Sequence, residues 1–317
     1  MPKVEGIGTS WNLPNYAGEL FTASPKKTPL LSSIGGLTGG KTSNAMEFVC
    51  GQEYELPAAA QPEITESASV TAPEATEIAR EQKTNTCQIY QETIEITYAK
   101  QANSGKLEGL NLGSQSANPA NELDFQIARK LEKMATDVEY TFINGSYQKA
   151  TSAIVAPKTR GLIELCADST SIDAQESDLT KALLDSFYLE LAKNGALWDN
   201  MTIYVNAELK QKLTAIYENQ YNAQMNMGNR QAGGNILTVE TDFGLMNIVY
   251  DQFVPAKTLL AADIAHLAPV FNPVPGKGVL FVEDLAKNGA AERKQIYGQI
   301  GLDHGMAFMH GAITNLK

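Results

Sequence analysis

The feature that most constrains this chain is a helical stripe over residues 119–143. Leu123, Ile127, Leu131, Met134, Val138 and Phe142 recur at spacings of four, four, three, four and four, which sets them on one face of an α-helix. Asn118 supplies an N-cap, Pro119 suits the first helical position, and Asn144-Gly145 predicts a left-handed C-cap. Twenty-five residues at ~1.5 Å each make a rod of roughly 37 Å, about twice the mean helix length in globular domains. A single helix of this size, apolar along one side, backs a sheet or spans a subunit.

The flanking segments read differently. Residues 1–44 are irregular, with Gly, Pro and Ser interrupting every apolar run. So long an unpatterned stretch is unusual inside a compact domain, and an extended arm lying on another surface is the natural solution. Residues 45–100 read as β structure around a polar insert. Met46, Phe48 and Cys50 alternate with Glu47, Val49 and Gly51, and Tyr90, Ile94, Ile96 and Tyr98 share one strand face. Between these runs, Glu53, Glu55, Glu63, Glu66, Glu74, Glu77 and Glu81 face only Arg80 and Lys83, a net of −5 out of the chain's −11. Ala, Ser, Thr and Pro fill the rest, so the insert has little to bury and reads as a long two-stranded protrusion.

Residues 178–272 form an α/β stretch. Ser177 predicts the cap of a helix that buries Leu179, Leu183, Leu184, Phe187 and Leu191 and ends at Asn194-Gly195. Met201 to Val205 is a strand, and Asn206 caps a helix with Leu209, Leu213 and Ile216 inward. Residues 220–235 are rich in Asn, Gln, Gly and Met, so Met225 and Met227 sit in a mobile or interface loop. Ile236 to Thr241 and Leu245 to Tyr250 flank Asp242-Phe243-Gly244 as a hairpin. Leu259 to Phe271 is partly strand, and Gln295 to Leu302 and Met306 to Ile313 are two closing strands.

Several classes of function drop out. No run of 18 apolar residues exists, so no membrane span is expected. The first twenty residues carry no apolar leader segment. The acidic balance opposes wrapping of nucleic acid, which needs clustered Lys and Arg. Cys50, Cys87 and Cys166 are odd in number and far apart, forming neither a zinc pattern nor a disulfide framework, and read as thiols of a reducing cytoplasm. His266, His304 and His310 make no helical zinc site, and Asp303-His304-Gly305 reads as a turn between the last strands. No GxSxG elbow and no EF-hand spacing are present. The sharpest motif is Gly35-Gly36-Leu37-Thr38-Gly39-Gly40-Lys41-Thr42, which fits the P-loop pattern by letter. Its context does not fit: the strand before it is poor, Asn44 to Cys50 reads as strand where a helix is needed, and Asp251 is a poor acidic partner. A Gly-rich hinge is the plainer reading. No catalytic, cofactor or metal site is expected. Elements that cannot bury themselves must bury against something, and another copy of the chain is the obvious partner.

In that order these segments resemble the major capsid proteins of tailed bacteriophages, the Johnson fold shared with encapsulins. The resemblance is carried by Thr28-Pro29-Leu30-Leu31-Ser32-Ser33-Ile34-Gly35, by Asn85-Thr86-Cys87-Gln88-Ile89-Tyr90, and by the capped helix with Arg160-Gly161-Leu162 after it. Gln295-Ile296-Tyr297-Gly298-Gln299-Ile300-Gly301-Leu302 and His310-Gly311-Ala312-Ile313 complete it. It implies an α+β fold with an N-terminal arm over 1–44 and an extended loop over 45–100 that overlaps a neighbour. It also implies a peripheral domain over 101–177 and 273–317 with the spine helix 119–143, and an axial domain over 178–272. The implied function is a non-enzymatic structural subunit of an icosahedral head. Such a subunit assembles into homo-oligomeric hexamers and pentamers around packaged double-stranded DNA, without sequence-specific binding, and ends in the virion after assembly in the host cytoplasm. Portal, scaffold and decoration proteins are the further partners it implies. The chain starts a short way before the arm, so no long fused scaffolding segment is expected. The acids Glu53 to Glu81 are expected to meet basic residues of the next subunit. The alternatives are a nucleotide-binding protein using Lys41 and Thr42, and a ring-forming phage tail protein.

Overall fold

The computed structural model describes residues 28–54, 61–72, 80–99, 122–221, 238–287 and 289–317, with Ala59, Ala75, Glu77 and Ile78 between them. Two sheets organise the body. The first has five strands: β1 (Lys41–Thr42), β4 (Gln88–Thr97), β10 (Ala268–Phe271), β11 (Leu280–Asp284) and β12 (Ala291–Asp303). The 13-residue β12 is its axis. It pairs antiparallel with β4 along one edge, and with β11 and then β10 along the other. The second sheet has the order β5 (Thr170–Asp173), β13 (Gly311–Thr314), β9 (Leu259–Asp263), β6 (Met201–Val205), β8 (Gly244–Tyr250), β7 (Thr238–Thr241). Every residue of β6 and β9 is buried, as central strands covered on both faces must be. A separate two-stranded hairpin, β2 (Glu47–Tyr54) and β3 (Arg80–Thr86), leaves the body.

Among the described residues the helices are α1 (Pro29–Ser33), α2 (Glu122–Asn144), α3 (Leu162–Ala167), α4 (Lys181–Lys193) and α5 (Ala207–Tyr221). The long α2 lies on the five-stranded sheet. Leu123, Met134, Val138 and Phe142 are buried there, and Ile127 and Leu131 are half-buried against the same core. That core also takes Leu30 and Leu31 from α1, Ile94 and Ile96 from β4, and Ile296 and Ile300 from β12. Lys130 and Lys133 of α2 both reach Glu92 of β4, fixing the helix across the strand. A second core, between the six-stranded sheet and α4 and α5, gathers Leu184, Phe187, Leu191, Ile203, Leu213 and Ile248.

Local expectations meet their corrections here. The expected caps Asn118 and Pro119 lie outside the described residues. Gly145 does not take the left-handed conformation expected of it. It is glycine because the chain recrosses there: a Cβ would stand 2.4 Å from the Thr141 carbonyl and 2.6 Å from that of Thr159. The cap of α4 is Thr180, whose Oγ1 accepts from Leu183 N at 3.3 Å, and not Ser177. The threonine stands directly before the first helical residue and takes the orphan amide. Asn206 caps α5 through Leu209 N at 2.9 Å, as its position predicts.

The sheets also redraw the boundaries expected at 100/101, 177/178 and 272/273. Strand β4 belongs to the five-stranded sheet, so among the described strands β2 and β3 form the protrusion. Strands β5 and β13 join the six-stranded sheet, and β10 joins the five-stranded one. Leu259 to Phe271 therefore crosses from one sheet to the other through the short turn Ile264–His266. Asp263 makes that turn, accepting the amides of Asp199, Asn200 and Ala265.

Candidate functional site

The hairpin is rooted by one buried amide. Asn85 Nδ2 donates to the carbonyls of Leu302 at 2.8 Å and Arg160 at 3.3 Å, while Oδ1 accepts from Thr86 N at 2.9 Å and Arg160 N at 2.8 Å. Both donors and both acceptor positions of the side chain are used. Phe48 covers Gly301, where a Cβ would come within 2.8 Å of its ring. From there β2 and β3 run out antiparallel from Glu47↔Thr86 to Tyr54↔Arg80, with a register shift between Val49 and Gly51 that bulges Cys50.

Away from the root the hairpin region is bare. Every residue of 61–72 is exposed, including Glu63, Glu66, Ile64 and Val70. Glu77, Ile78 and Glu81 are exposed as well, Glu81 pairing with Lys83 at 3.0 Å. Glu53 stands opposite Glu81 in the backbone register. Glu55 and Glu74 lie outside the described residues. Glu63, Glu66, Glu77 and Glu81 are thus placed on a surface that the described residues do not cover.

A second junction holds the arm. Glu139, on α2, is fully buried and accepts the first-turn amides of α1: Leu30 N to Oε1 at 2.8 Å and Leu31 N to Oε2 at 2.6 Å. Asp251, just past β8, is buried beside it and accepts Phe253 N at 2.8 Å through Oδ1. Burial, and then the hydrogen bond and charge of Asp251, push the Glu139 carboxyl up to about 9, while burial raises Asp251. Tyr204 of β6 completes the cluster. Ser33 Oγ donates to Leu30 O at 2.7 Å, so Tyr204 OH donates to Ser33 Oγ at 3.3 Å. The segment expected to be an extended arm lying on another surface therefore begins, from Thr28, as a helical turn docked on its own subunit.

Sequence reasoning placed Asn85 in a motif without giving it a role, and it read Asp251 only as a poor P-loop partner. Glu139 left a signal that was overlooked. It falls four residues from both Ala135 and Ile143, and these widen the buried side of the helix. An acid on a buried face demands a partner.

The P-loop reading fails on geometry. Lys41 Nζ is paired with Asp303 Oδ2 at 2.6 Å, and Lys41–Thr42 is a strand in parallel register with Val270–Phe271. The next element along the chain is β2, not a helix. The glycines form a held turn: Gly39 N donates to Gly35 O at 2.9 Å, and a Cβ on Gly40 would stand 2.4 Å from the Pro269 carbonyl. Asp251 is committed to Glu139 and Phe253.

The other candidate side chains have structural partners. His310 is buried, takes Asp263 N on Nδ1 at 3.2 Å, and donates from Nε2 to His304 O at 2.8 Å. His304 is buried with Nδ1 on Gly305 O at 2.9 Å. Burial pulls both imidazoles down to about 4, so both are neutral. His266 pairs with Asp199 at 3.2 Å. Among the described residues these two and Asp263 are the His/Asp group close enough to hold an ion, but the Asp263 carboxylate already takes three backbone amides. The cysteines are free thiols, and burial raises Cys50 and Cys87 to about 12. Met225 and Met227 lie outside the described residues.

This architecture is that of the shell proteins of phage capsids and encapsulins. The cyanophage A-1(L) capsid matches with a TM-score of 0.70 at 11% identity, over 97% of this chain and 98% of that one. The capsid of a native GTA particle matches with a TM-score of 0.62 at 11% identity, over 97% and 96%. The holo-SrpI encapsulin complex of Synechococcus elongatus PCC 7942 matches at 0.56 and 12% identity, over 96% and 92%. No curated protein sequence matches the chain. The chain belongs to the SU10 major capsid protein family, which matches residues 3–317. It is a structural shell subunit of the virion capsid, and the nucleotide-binding alternative has no support.

Proposed function

We propose that the subunit closes into hexamers and pentamers of an icosahedral head around double-stranded DNA, with assembly in the host cytoplasm. In this reading the five-stranded sheet and α2 are the peripheral domain with its spine helix, and the six-stranded sheet is the axial domain. The β2–β3 hairpin is the extended loop laid on the next subunit. The observation that carries the reading is the hairpin itself: rooted at Asn85, yet exposing Ile64, Val70, Glu63, Glu66 and Glu77, which none of the described residues covers. Cations of the neighbour would complement these acids, and surface pairing of this kind sets register and rate of association more than affinity. The chain's −11 charge would keep packaged DNA from adhering to the wall. Portal, scaffold and decoration proteins would be its further partners.

Electron microscopy and sedimentation of the purified full chain test the reading. Closed shells, or free hexamers and pentamers, are expected. Stacked rings or open tubes as the sole assembled product would replace it with a tail-type assembly.

A further inference from the structure

The Glu139–Asp251 pair carries more than packing. It sits where three parts of the subunit meet: α1 of the arm, the C-terminal third of α2, and the strand ends of the six-stranded sheet at Val205 and Asp251. Both Glu139 oxygens already accept an arm amide. Asp251 Oδ1 accepts Phe253 N, but Oδ2 is buried and has no donor among the groups of fixed protonation. A carboxylate oxygen sealed from water in that way is costly. The group in reach of it is the carboxyl of Glu139, and a carboxyl donates only when protonated.

We propose that Glu139 and Asp251 hold one proton between them, and that this proton latches residues 28–34 to the body of the subunit. With the proton present, Glu139 donates to Asp251 while still accepting from Leu30 and Leu31. With it lost to solvent, two carboxylates face each other in a dry site. The relief is to open, exposing Glu139 to water and freeing the two arm amides.

Among the described residues, the groups that act on the pair include no cation. The groups that act on Glu139 are Asp251 and the Leu30 and Leu31 amides, and those that act on Asp251 are Glu139 and the Phe253 amide. From β6 the facing titratable group is the Tyr204 phenol, whose proton is committed to Ser33 and which burial raises above its ordinary range. Because the closed state binds a proton that the open state releases, opening grows more favourable as pH rises, by up to ~10-fold per pH unit for one proton. The window runs from the free-carboxyl range near 4.5 to the closed-state value of about 9. The arm is therefore held tightly in mild acid and loosened in mild alkali.

Amide hydrogen exchange on the full-length chain tests this, with each rate divided by that of the unstructured peptide at the same pH. Protection at Leu30 and Leu31 should fall ~100-fold between pH 6 and pH 8, while Leu302, whose amide bonds Thr159 Oγ1 at 3.2 Å away from the pair, should fall by no more than the ~10-fold that global unfolding alone brings. Glu139→Gln keeps a donor for Asp251 that does not titrate, and its profile at Leu30 and Leu31 should be flat. If that variant does not fold, Asp251→Asn serves: it removes the facing charge and should flatten the upper half of the pH range. A flat profile in the native chain would overturn the latch, as would the native slope persisting in either variant.

Discussion

The long helix and the hairpin are the two most extended parts of the subunit, and they use their length in opposite ways. Helix α2 buries a side along most of its length and ties the rest to Glu92. The hairpin is anchored at one end by Asn85 and Phe48 and then exposes every described residue of 61–72, apolar ones included. A two-stranded hairpin is marginal alone in water. The difference teaches where the subunit ends as a folding unit: the helix is stabilised within one chain, and the hairpin, in the reading proposed above, is built for contact with another.

The comparison breaks if both regions respond alike to truncation. Phe142→Ala removes a fully buried ring from the first core and should cost about 3–5 kcal/mol in urea unfolding of the soluble chain. Ile64→Ala, on the exposed side, should stay within about 0.5 kcal/mol. Equal losses would mean that the hairpin packs on its own subunit.

Asn85→Ala sharpens the comparison at the boundary. It strips partners from buried groups of Arg160 and Leu302, so about 2–3 kcal/mol should be lost. Exchange at Thr86 should rise, while Val138 stays protected.

The pH dependence comes next in size. His304 and His310, neutral when folded and drawn down to about 4, are protonated first in the unfolded chain, so their contribution is lost as pH falls from about 6.5. Glu139, raised to about 9 when folded, works in the opposite sense: its contribution is whole below about 4.5 and is lost as pH rises toward 9. Below about pH 6.5 two protons oppose one, and above it the Glu139 proton acts alone, so the net slope is roughly 1.4 kcal/mol per pH unit on either side, opposite in sign. Urea midpoints should therefore peak near pH 6.5, and a monotonic profile across pH 5–9 would sink this assignment. The smallest effect belongs to Lys41→Ala. Its pair with Asp303 leaves the lysine two-thirds exposed, so less than about 1 kcal/mol should be lost.

Much of this was legible in sequence for a physical reason. The stripe from Leu123 to Phe142 has a period that only a helix satisfies, and Asn206 stands before a helix as a cap must. The illegible parts depend on chain crossings. Gly145 looks like a C-cap until the Thr159 carbonyl is seen beside it. The split of Leu259 to Phe271 between two sheets, and the placing of β13 beside β9 and β5, arise from long-range pairing that no local pattern encodes. The acids of the hairpin were visible by composition alone, because they gather in a segment with little apolar to bury. The role of Asn85 was not, since it lies in bonds to residues 75 and 217 positions away.

The central claim is that the hairpin's acids serve contact between subunits and not the fold of one. The direct measurement replaces Glu63, Glu66, Glu74 and Glu77 together with Lys, and monitors assembly by electron microscopy and sedimentation beside urea unfolding of the same chain. The account predicts an unfolding midpoint close to native with shells lost or malformed. Normal shells from that variant, or a subunit that no longer folds, would contradict it.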